Sequence, residues 1–187
     1  METKLILTFI LSLCYGFFEL FMSRRIQNKI TTPGDKGSIW VLSVSIATGY
    51  WLSFLIASTN TGRIYNWDTL FILGLLIVTI GLIIRITSIL ALKQQFTYTV
   101  TKVDNHGLIQ TGIYKKIRHP GYLGQLIIFL GLSTCLSNWI SIILMFVSVF
   151  PGFLNRISVE EKFMADHFGQ QYLDYKAHTK RLIPFIY

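Results

Sequence analysis

The chain has 187 residues, of which 52% are hydrophobic and only 14% are charged. No ordinary soluble domain can cover so much apolar surface, so the composition favours a protein embedded in a lipid bilayer. The formal net charge is +8, but the basic residues lie in short segments between apolar runs, where they suit anionic lipid head groups. Nucleic-acid binding is therefore not expected. A conventional nucleotide-binding domain is not expected either, because no glycine-rich phosphate loop occurs in the sequence.

Three apolar runs, residues 5–22, 39–57 and 69–92, are long enough to cross a hydrocarbon core of about 30 Å. A fourth apolar stretch, residues 121–154, is interrupted at Ser137 and Asn138. Each of its halves gives only about 24 Å of helix, which indicates a tight helical hairpin. We therefore predict an all-α integral membrane protein, a single membrane domain over residues 1–187. It has five transmembrane helices, the last two of which form a short hairpin.

The distribution of Lys and Arg predicts the orientation of these helices. Of the 17 Lys and Arg residues, 14 lie in residues 23–37, 93–120 and 155–187. By the positive-inside rule the N-terminus lies outside and the C-terminus lies in the cytoplasm. Residues 93–120 then form a cytoplasmic loop, and residues 155–187 form a cytoplasmic segment with a terminal helix. The membrane would be the plasma membrane in a prokaryote and the endoplasmic reticulum in a eukaryote.

The sequence Arg-His-Pro-Gly-Tyr, residues 118–122, joins the basic loop to the hairpin. Pro120 can begin a helix without loss of a hydrogen bond, which leaves the N–H groups of Gly121 and Tyr122 directed toward the loop. With Arg118 and the helix dipole, these donors would form a seat for a carboxylate or a phosphate. The alternative is that Arg118 is a membrane-flanking cation and that Pro120 only starts the helix.

A second polar element, Arg156-Ile-Ser-Val-Glu160-Glu161, follows the hairpin. Because a hairpin returns the chain to the face that it left, we expect Arg156 and Glu160 to lie near the first polar element. The two residues are four apart and share a helix face. In isolation such a pair is usually a solvated salt bridge, but at the mouth of the hairpin it becomes a candidate wall of a site. Glu161 is expected to be the solvated neighbour of Glu160.

The pattern His-x-Leu-x-x-x-Gly-x-Tyr-x-x-x-Arg-His-Pro-x-Tyr, followed by a hairpin, Arg-x-x-x-Glu-Glu and Phe-Gly-x-x-Tyr, resembles the isoprenylcysteine carboxyl methyltransferase family. The resemblance runs from about Arg85 to Tyr187, and the wider superfamily includes phospholipid N-methyltransferases. It implies an S-adenosylmethionine-dependent methyltransferase whose favoured acceptor is the C-terminal carboxylate of a prenylated cysteine or a similar lipophilic carboxylate. The acceptor would enter from the bilayer, and Arg156 would face its carboxylate. The implied cofactor-binding residues are His106, Gly107, Leu108, Ile109, Tyr114, His119, Pro120, Gly121, Tyr122 and Glu160, to which the charge argument adds Arg118.

Two positions depart from the family pattern. Thr99 stands where the animal enzymes have a cofactor-binding glutamine, and Lys93 stands where many bacterial relatives have a glycine.

The chemistry of methyl transfer agrees with the residue types. Transfer from a sulfonium to a carboxylate neutralises both charges, so the protein has to position and desolvate the reactants. A carboxylate with a pKa of about 3.5 is already ionised at neutral pH, and no general base is required. Arg156 would hold the acceptor by a two-pronged hydrogen bond, and Tyr114 or Tyr122 would lie against the sulfonium or the adenine. No metal-ligand cluster is evident in the sequence.

Two other functions stay open. The same cofactor site would also serve methylation of a lipid amine or a small thiol, although Arg156 would repel a cationic amine. The protein would alternatively be a non-enzymatic membrane scaffold.

Two further groups of residues carry structural predictions. Gly74 and Gly81, like Gly124 and Gly131, are seven apart and predict close helix packing. Tyr172 and Tyr175 are expected to anchor the terminal helix at the membrane interface.

Glu19 and Arg85 lie inside predicted membrane helices, where a charge costs about 2.5–3.5 kcal/mol at the bilayer centre. We predict that they, or their hydrogen-bonded neighbours, form a buried polar contact between the first and third helices. In the alternative each is satisfied alone, with Arg85 extended to the head groups.

Overall fold

The computed structural model describes residues 2–27, 37–92 and 107–183. The helices are α1 (Glu2–Gln27), α2 (Ser38–Ala57), α3 (Trp67–Leu92), α4 (Pro120–Cys135), α5 (Trp139–Phe168) and α6 (Gln170–His178). A 3₁₀ turn, Gly112–Lys115, precedes α4. Within the described residues, α1, α2, α3 and α5 are long and apolar enough to cross a membrane. α4 has 16 residues and reaches about 24 Å.

The hairpin turns at the position that the sequence predicts. α4 begins at Pro120, and the chain between α4 and α5 includes Asn138, the N-cap of α5. The Asn138 side-chain oxygen accepts hydrogen bonds from the backbone N–H groups of Ile140 and Ser141, and its amide nitrogen donates to the Thr61 carbonyl. One side chain thus starts α5 and ties the turn to the α2–α3 loop.

The second arm of the hairpin does not end near Leu154. α5 has 30 residues and continues through Pro151 to Phe168. Pro151 removes one backbone donor, but the helix on both sides of it is buried, with Val149, Phe153 and Ile157 in the core. Tertiary packing therefore overrides the helix-breaking tendency of proline. The predicted boundary at residues 154–155 is corrected, and the polar element after the hairpin belongs to the same rigid helix as its second arm.

α3 and α4 pack with their backbones in contact. A Cβ atom added to Gly74 would lie 2.7 Å from the Gly131 carbonyl oxygen, and one added to Gly81 would lie 2.8 Å from the Gly124 carbonyl oxygen. The four glycines therefore face each other in two pairs, which confirms the predicted close packing.

α2 packs against α5 through a reciprocal pair of buried hydrogen bonds. The Ser53 hydroxyl donates to the Ser141 carbonyl at 2.9 Å, and the Ser141 hydroxyl donates to the Ser53 carbonyl at 2.8 Å. The core between the helices is aromatic and aliphatic; its members include Leu126, Phe129, Leu132, Met145, Val149, Phe153 and Ile157. α1 lies at the edge of the bundle and exposes many of its large apolar side chains.

Candidate functional site

A cavity of about 520 Å³ opens at the end of the bundle where α4 begins. Its polar wall carries Glu19, Arg85, His119, Arg156 and Glu160. Its apolar wall comes from α1, α2 and α4 and includes Leu20, Ile39, Leu42, Ile46, Ala47 and Phe129. The volume suits a small organic ligand. A cavity with both polar and apolar walls suits two ligands, one polar and one apolar.

The structure brings most of the predicted site residues to this cavity. Those that line it are Gly107, Leu108, Ile109, Tyr114, Arg118, His119, Gly121, Tyr122, Arg156 and Glu160. Pro120 is buried at the first turn of α4 and does not line the cavity. His106 lies outside the described residues, as do Lys93 and Thr99.

Tyr122 links two charged residues of α5, Arg156 and Glu160. Its hydroxyl donates to Glu160 Oε2 at 2.8 Å and accepts from Arg156 Nε at 3.2 Å. Arg156 Nη1 also donates to the Ser38 hydroxyl at the start of α2, at 2.7 Å. Arg156 is only 3% exposed. The guanidinium is therefore held from two sides at the border of the cavity.

His119 lies between two adjacent carboxylates. Its ring stacks on Tyr122 with a centroid separation of 5.6 Å and an interplanar angle of 20°. Nδ1 lies 3.8 Å from Glu160 Oε2, and Nε2 lies 3.5 Å from Glu161 Oε1. The imidazole, which is 6% exposed, thus has its plane fixed by Tyr122 and a carboxylate beside each nitrogen.

The predicted anion seat at the start of α4 does not form as expected. The Tyr122 N–H donates to the His119 carbonyl within the turn, at 3.1 Å. Arg118 lines the cavity, but its guanidinium binds Glu161 Oε1 at 3.0 Å and also donates to the Thr179 carbonyl. Because these groups bond within the protein, the charge of Arg118 is compensated by Glu161.

The prediction that Glu161 is solvated is wrong, since its side chain is 4% exposed. Glu161 faces away from the cavity and toward the segment that follows α6, where Arg181 Nη2 lies 3.0 Å from Oε2. Ile157, one helical turn earlier, is fully buried on the same side of α5. Glu161 and Arg181 lie too far apart in the sequence for residue spacing to predict their ion pair.

Tyr172 and Tyr175 are also buried, which contradicts their prediction as interfacial anchors. The Tyr175 hydroxyl donates to the Tyr114 carbonyl at 2.7 Å and so fastens α6 beneath the 3₁₀ turn. Burial raises the pKa of Tyr175 to about 12, so this donor stays protonated at neutral pH.

Gln125 borders the cavity from α4 and is 8% exposed, although the motif analysis did not select it. An amide within an otherwise apolar helix was the available signal. Among the described residues, no group of three or more His, Cys, Asp or Glu side chains could hold a metal ion.

Comparison with known proteins assigns the family. The model of the phospholipid methyltransferase family matches residues 69–171, more than half of the chain. The chain belongs to the phospholipid methyltransferase family. The matched region contains α3, α4, α5 and both polar elements of the cavity.

Several relatives in this family carry the same kind of name. The chain is 36% identical over 115 residues to protein-S-isoprenylcysteine O-methyltransferase A of Arabidopsis thaliana, covering 60% of this chain and 58% of that protein. It is 33% identical over 117 residues to protein-S-isoprenylcysteine O-methyltransferase of Saccharomyces cerevisiae, covering 62% of this chain and 49% of that protein. The matches thus span about half of the length of these relatives.

A solved structure has a similar fold. The structure of a eukaryotic intramembrane Ras methyltransferase, an isoprenylcysteine carboxyl methyltransferase, superimposes with a TM-score of 0.64 at 28% identity. The superposition covers 77% of this chain and 52% of that one. The four long apolar helices and this similarity together indicate an integral membrane protein.

Proposed function

We propose that the protein is an S-adenosylmethionine-dependent methyltransferase that esterifies the C-terminal carboxylate of a prenylated cysteine or a similar lipophilic carboxylate. One observation carries the proposal. The buried Arg156, linked through the Tyr122 hydroxyl to Glu160, lines the same cavity as the apolar side chains of α1 and α2. The names of the relatives support the same reaction.

The polar wall fits the proposed cofactor. Glu160, whose side chain is 33% exposed, offers a carboxylate to the ribose hydroxyls or the ammonium group. The Tyr114 and Tyr122 rings border the same space and suit the adenine or the sulfonium. Leu108 and Ile109 add apolar surface from the loop before the 3₁₀ turn.

The protein's own contribution to the reaction is positioning. When bound, S-adenosylmethionine supplies the methyl group. Arg156 holds the ionised acceptor carboxylate, and its contacts with Tyr122 and Ser38 fix the direction in which that carboxylate is presented. The apolar wall takes up the lipid tail and excludes water from the reacting groups.

The phospholipid methyltransferase family name makes a lipid amine the second candidate acceptor. Glu19 and Glu160 are carboxylates that line the cavity, and either would attract such a cation. Arg85 forms two hydrogen bonds to Glu19, and Glu160 accepts a hydrogen bond from the Tyr122 hydroxyl. With Glu19 paired and Glu160 assigned to the cofactor, Arg156 favours an anionic acceptor over an amine.

We further propose that the cavity end of the bundle faces the cytoplasm and that the N-terminus lies outside. The basic residues concentrate in segments that connect to the cavity end of the bundle, as the positive-inside rule requires. The polar cofactor would then arrive from the aqueous side, and the acceptor would arrive from the bilayer.

The test is methyl transfer by the purified protein in lipid nanodiscs. Labelled S-adenosylmethionine is added with N-acetyl-S-farnesylcysteine, with phosphatidylethanolamine, or with a small thiol. We expect a base-labile methyl ester from the farnesylcysteine, and no product when its carboxylate is replaced by an amide. Transfer only to phosphatidylethanolamine or to the thiol would support the alternative acceptors. Cofactor binding without transfer to any acceptor would contradict the carboxylate assignment, and absence of cofactor binding would support a scaffold.

A further inference from the structure

We propose that Glu161 is a positioning residue that holds His119 in place for the cofactor, and that the segment after α6 is therefore a structural part of the cofactor site. The inference rests on the proposed function and assigns a role to a residue outside the cavity. Glu160 lines the cavity, whereas its neighbour Glu161 does not. The two adjacent carboxylates of α5 thus have different surroundings, and His119 lies between them.

The Glu161 carboxylate forms ion pairs with cationic side chains from two parts of the chain. Arg118, before α4, places Nε 3.0 Å from Oε1. Lys176 in α6 and Arg181 after α6 place Nζ at 3.4 Å and Nη2 at 3.0 Å from Oε2. A carboxylate that is 4% exposed requires such compensation, because an unpaired buried charge is strongly destabilising. Glu161 therefore ties the approach to α4 to the C-terminal side of α6.

Backbone hydrogen bonds join the same two segments. The Arg118 N–H donates to the Lys180 carbonyl at 2.8 Å, and the His119 N–H donates to the Arg181 carbonyl at 3.0 Å. The Lys180 N–H donates to the Lys116 carbonyl at 3.1 Å. The residues that lead into α4 thus lie beside the residues that follow α6. Glu161 binds a cationic side chain from each of these two segments.

His119 connects the contacts of Glu161 with the cavity, because it lines the cavity and lies beside Glu161. Its Nε2 faces Glu161, while the other edge of the ring faces Glu160 and one ring face stacks on Tyr122. Glu161 Oε1 is the carboxylate oxygen beside Nε2, at 3.5 Å, and its negative charge there favours the observed ring orientation over one turned toward Glu160. With the Glu161 charge removed, His119 would compete with Tyr122 for the Glu160 carboxylate, which is the proposed cofactor contact.

The experiment compares Glu161→Gln with Asp166→Asn, an exposed carboxylate on the same helix. In nanodiscs we expect Glu161→Gln to raise the Kd for S-adenosylmethionine by about tenfold or more, because the charge-assisted hydrogen bonds to Arg118 and Arg181 weaken and the charge beside His119 Nε2 is lost. The KM for farnesylcysteine at saturating cofactor should change by less than about twofold, since Arg156 keeps its own contacts. Asp166→Asn should leave both values unchanged.

Arg181→Gln provides a second variant in case Glu161→Gln does not fold, because Glu161 then keeps Arg118, Lys176 and His119. We expect a smaller rise in the cofactor Kd, and Arg181→Lys should restore most of the affinity. A wild-type Kd in both Glu161→Gln and Arg181→Gln would overturn the inference. So would an equal loss of cofactor and acceptor affinity in either variant, which indicates a merely structural role. If the unaltered protein does not bind S-adenosylmethionine, the proposed function itself fails.

Discussion

Arg85 of α3 and Glu19 of α1 form a two-pronged ion pair, with Nε 2.9 Å from Oε1 and Nη2 2.8 Å from Oε2. The two side chains are 4% and 15% exposed. The Tyr15 hydroxyl donates to the same carboxylate at 2.7 Å. This pairing confirms the prediction made from the cost of two charges at similar depth in an apolar environment. Both residues also line the cavity of the proposed site.

Breaking this pair should destabilise the protein more than removing it altogether. Glu19→Gln or Arg85→Met alone is expected to lower the free energy of unfolding by about 3–5 kcal/mol, because each removes the opposite charge from a buried ion pair. The double variant should be less destabilised than the sum of the two. Denaturant unfolding in one detergent measures the coupling. Lys4→Gln is the control, since it breaks the pair with the exposed Asp68 and should not shift the transition. A coupling indistinguishable from zero would contradict the assignment.

Glu160→Ala and Arg156→Ala should separate cofactor binding from turnover. We expect Glu160→Ala to abolish S-adenosylmethionine binding, because the carboxylate faces the polar part of the cavity. Arg156→Ala should keep cofactor binding and lose methyl transfer, because its partner is the acceptor. Calorimetry gives the cofactor affinity, and product formation gives the turnover. If the two substitutions reduce cofactor affinity equally, this division of roles is wrong.

Tyr122→Phe should affect both ligands at once. The substitution keeps the ring that stacks on His119 but removes the hydroxyl between Arg156 and Glu160. The loss of one hydrogen bond to each charged partner is expected to raise both the cofactor Kd and the acceptor KM by about fivefold or more. Tyr65→Phe, at a tyrosine that is 94% exposed, is the matched control. A change in only one of the two constants would show that the hydroxyl does not couple the sites.

The glycine pairs predict where an added methyl group is not tolerated. Gly81→Ala and Gly124→Ala each place a Cβ within 3 Å of the facing backbone. The cost is expected to be about 1–3 kcal/mol, since α3 and α4 have to move apart. Gly16→Ala in α1 is the control, because no atom lies within 4 Å of the added Cβ. There the higher helix propensity of alanine should leave stability equal or raised by up to about 1 kcal/mol. Equal melting temperatures for all three variants would contradict the backbone contact.

The features that follow from local chemistry were predictable from the sequence. The lengths of the apolar runs located α1, α2 and α3, the missing N–H of Pro120 located the start of α4, and the polar pair Ser137-Asn138 located the hairpin turn. Each depends on the composition or hydrogen-bonding capacity of a few consecutive residues. Such properties do not require knowledge of the packed structure.

The features that depend on distant partners were not predictable. Glu160 and Glu161 are chemically identical, and the buried one is distinguished by cations that are distant in sequence, Arg118, Lys176 and Arg181. The guanidinium of Arg118 turns toward that same buried carboxylate and not toward a ligand at the start of α4. The helix continues past Pro151 because both sides of the proline pack into the core, a tertiary effect that no local rule contains.

The direct contact between α3 and α4 also limits how a lipid reaches the cavity. Where the backbones meet at Gly74, Gly81, Gly124 and Gly131, not even a methyl group fits between the two helices. An acyl or isoprenoid chain therefore cannot pass between α3 and α4 along the paired glycines. The apolar lining that α1 and α2 supply to the cavity takes no part in this backbone contact. A hydrocarbon tail that diffuses in the plane of the bilayer is therefore excluded from between α3 and α4 at the level of these glycines.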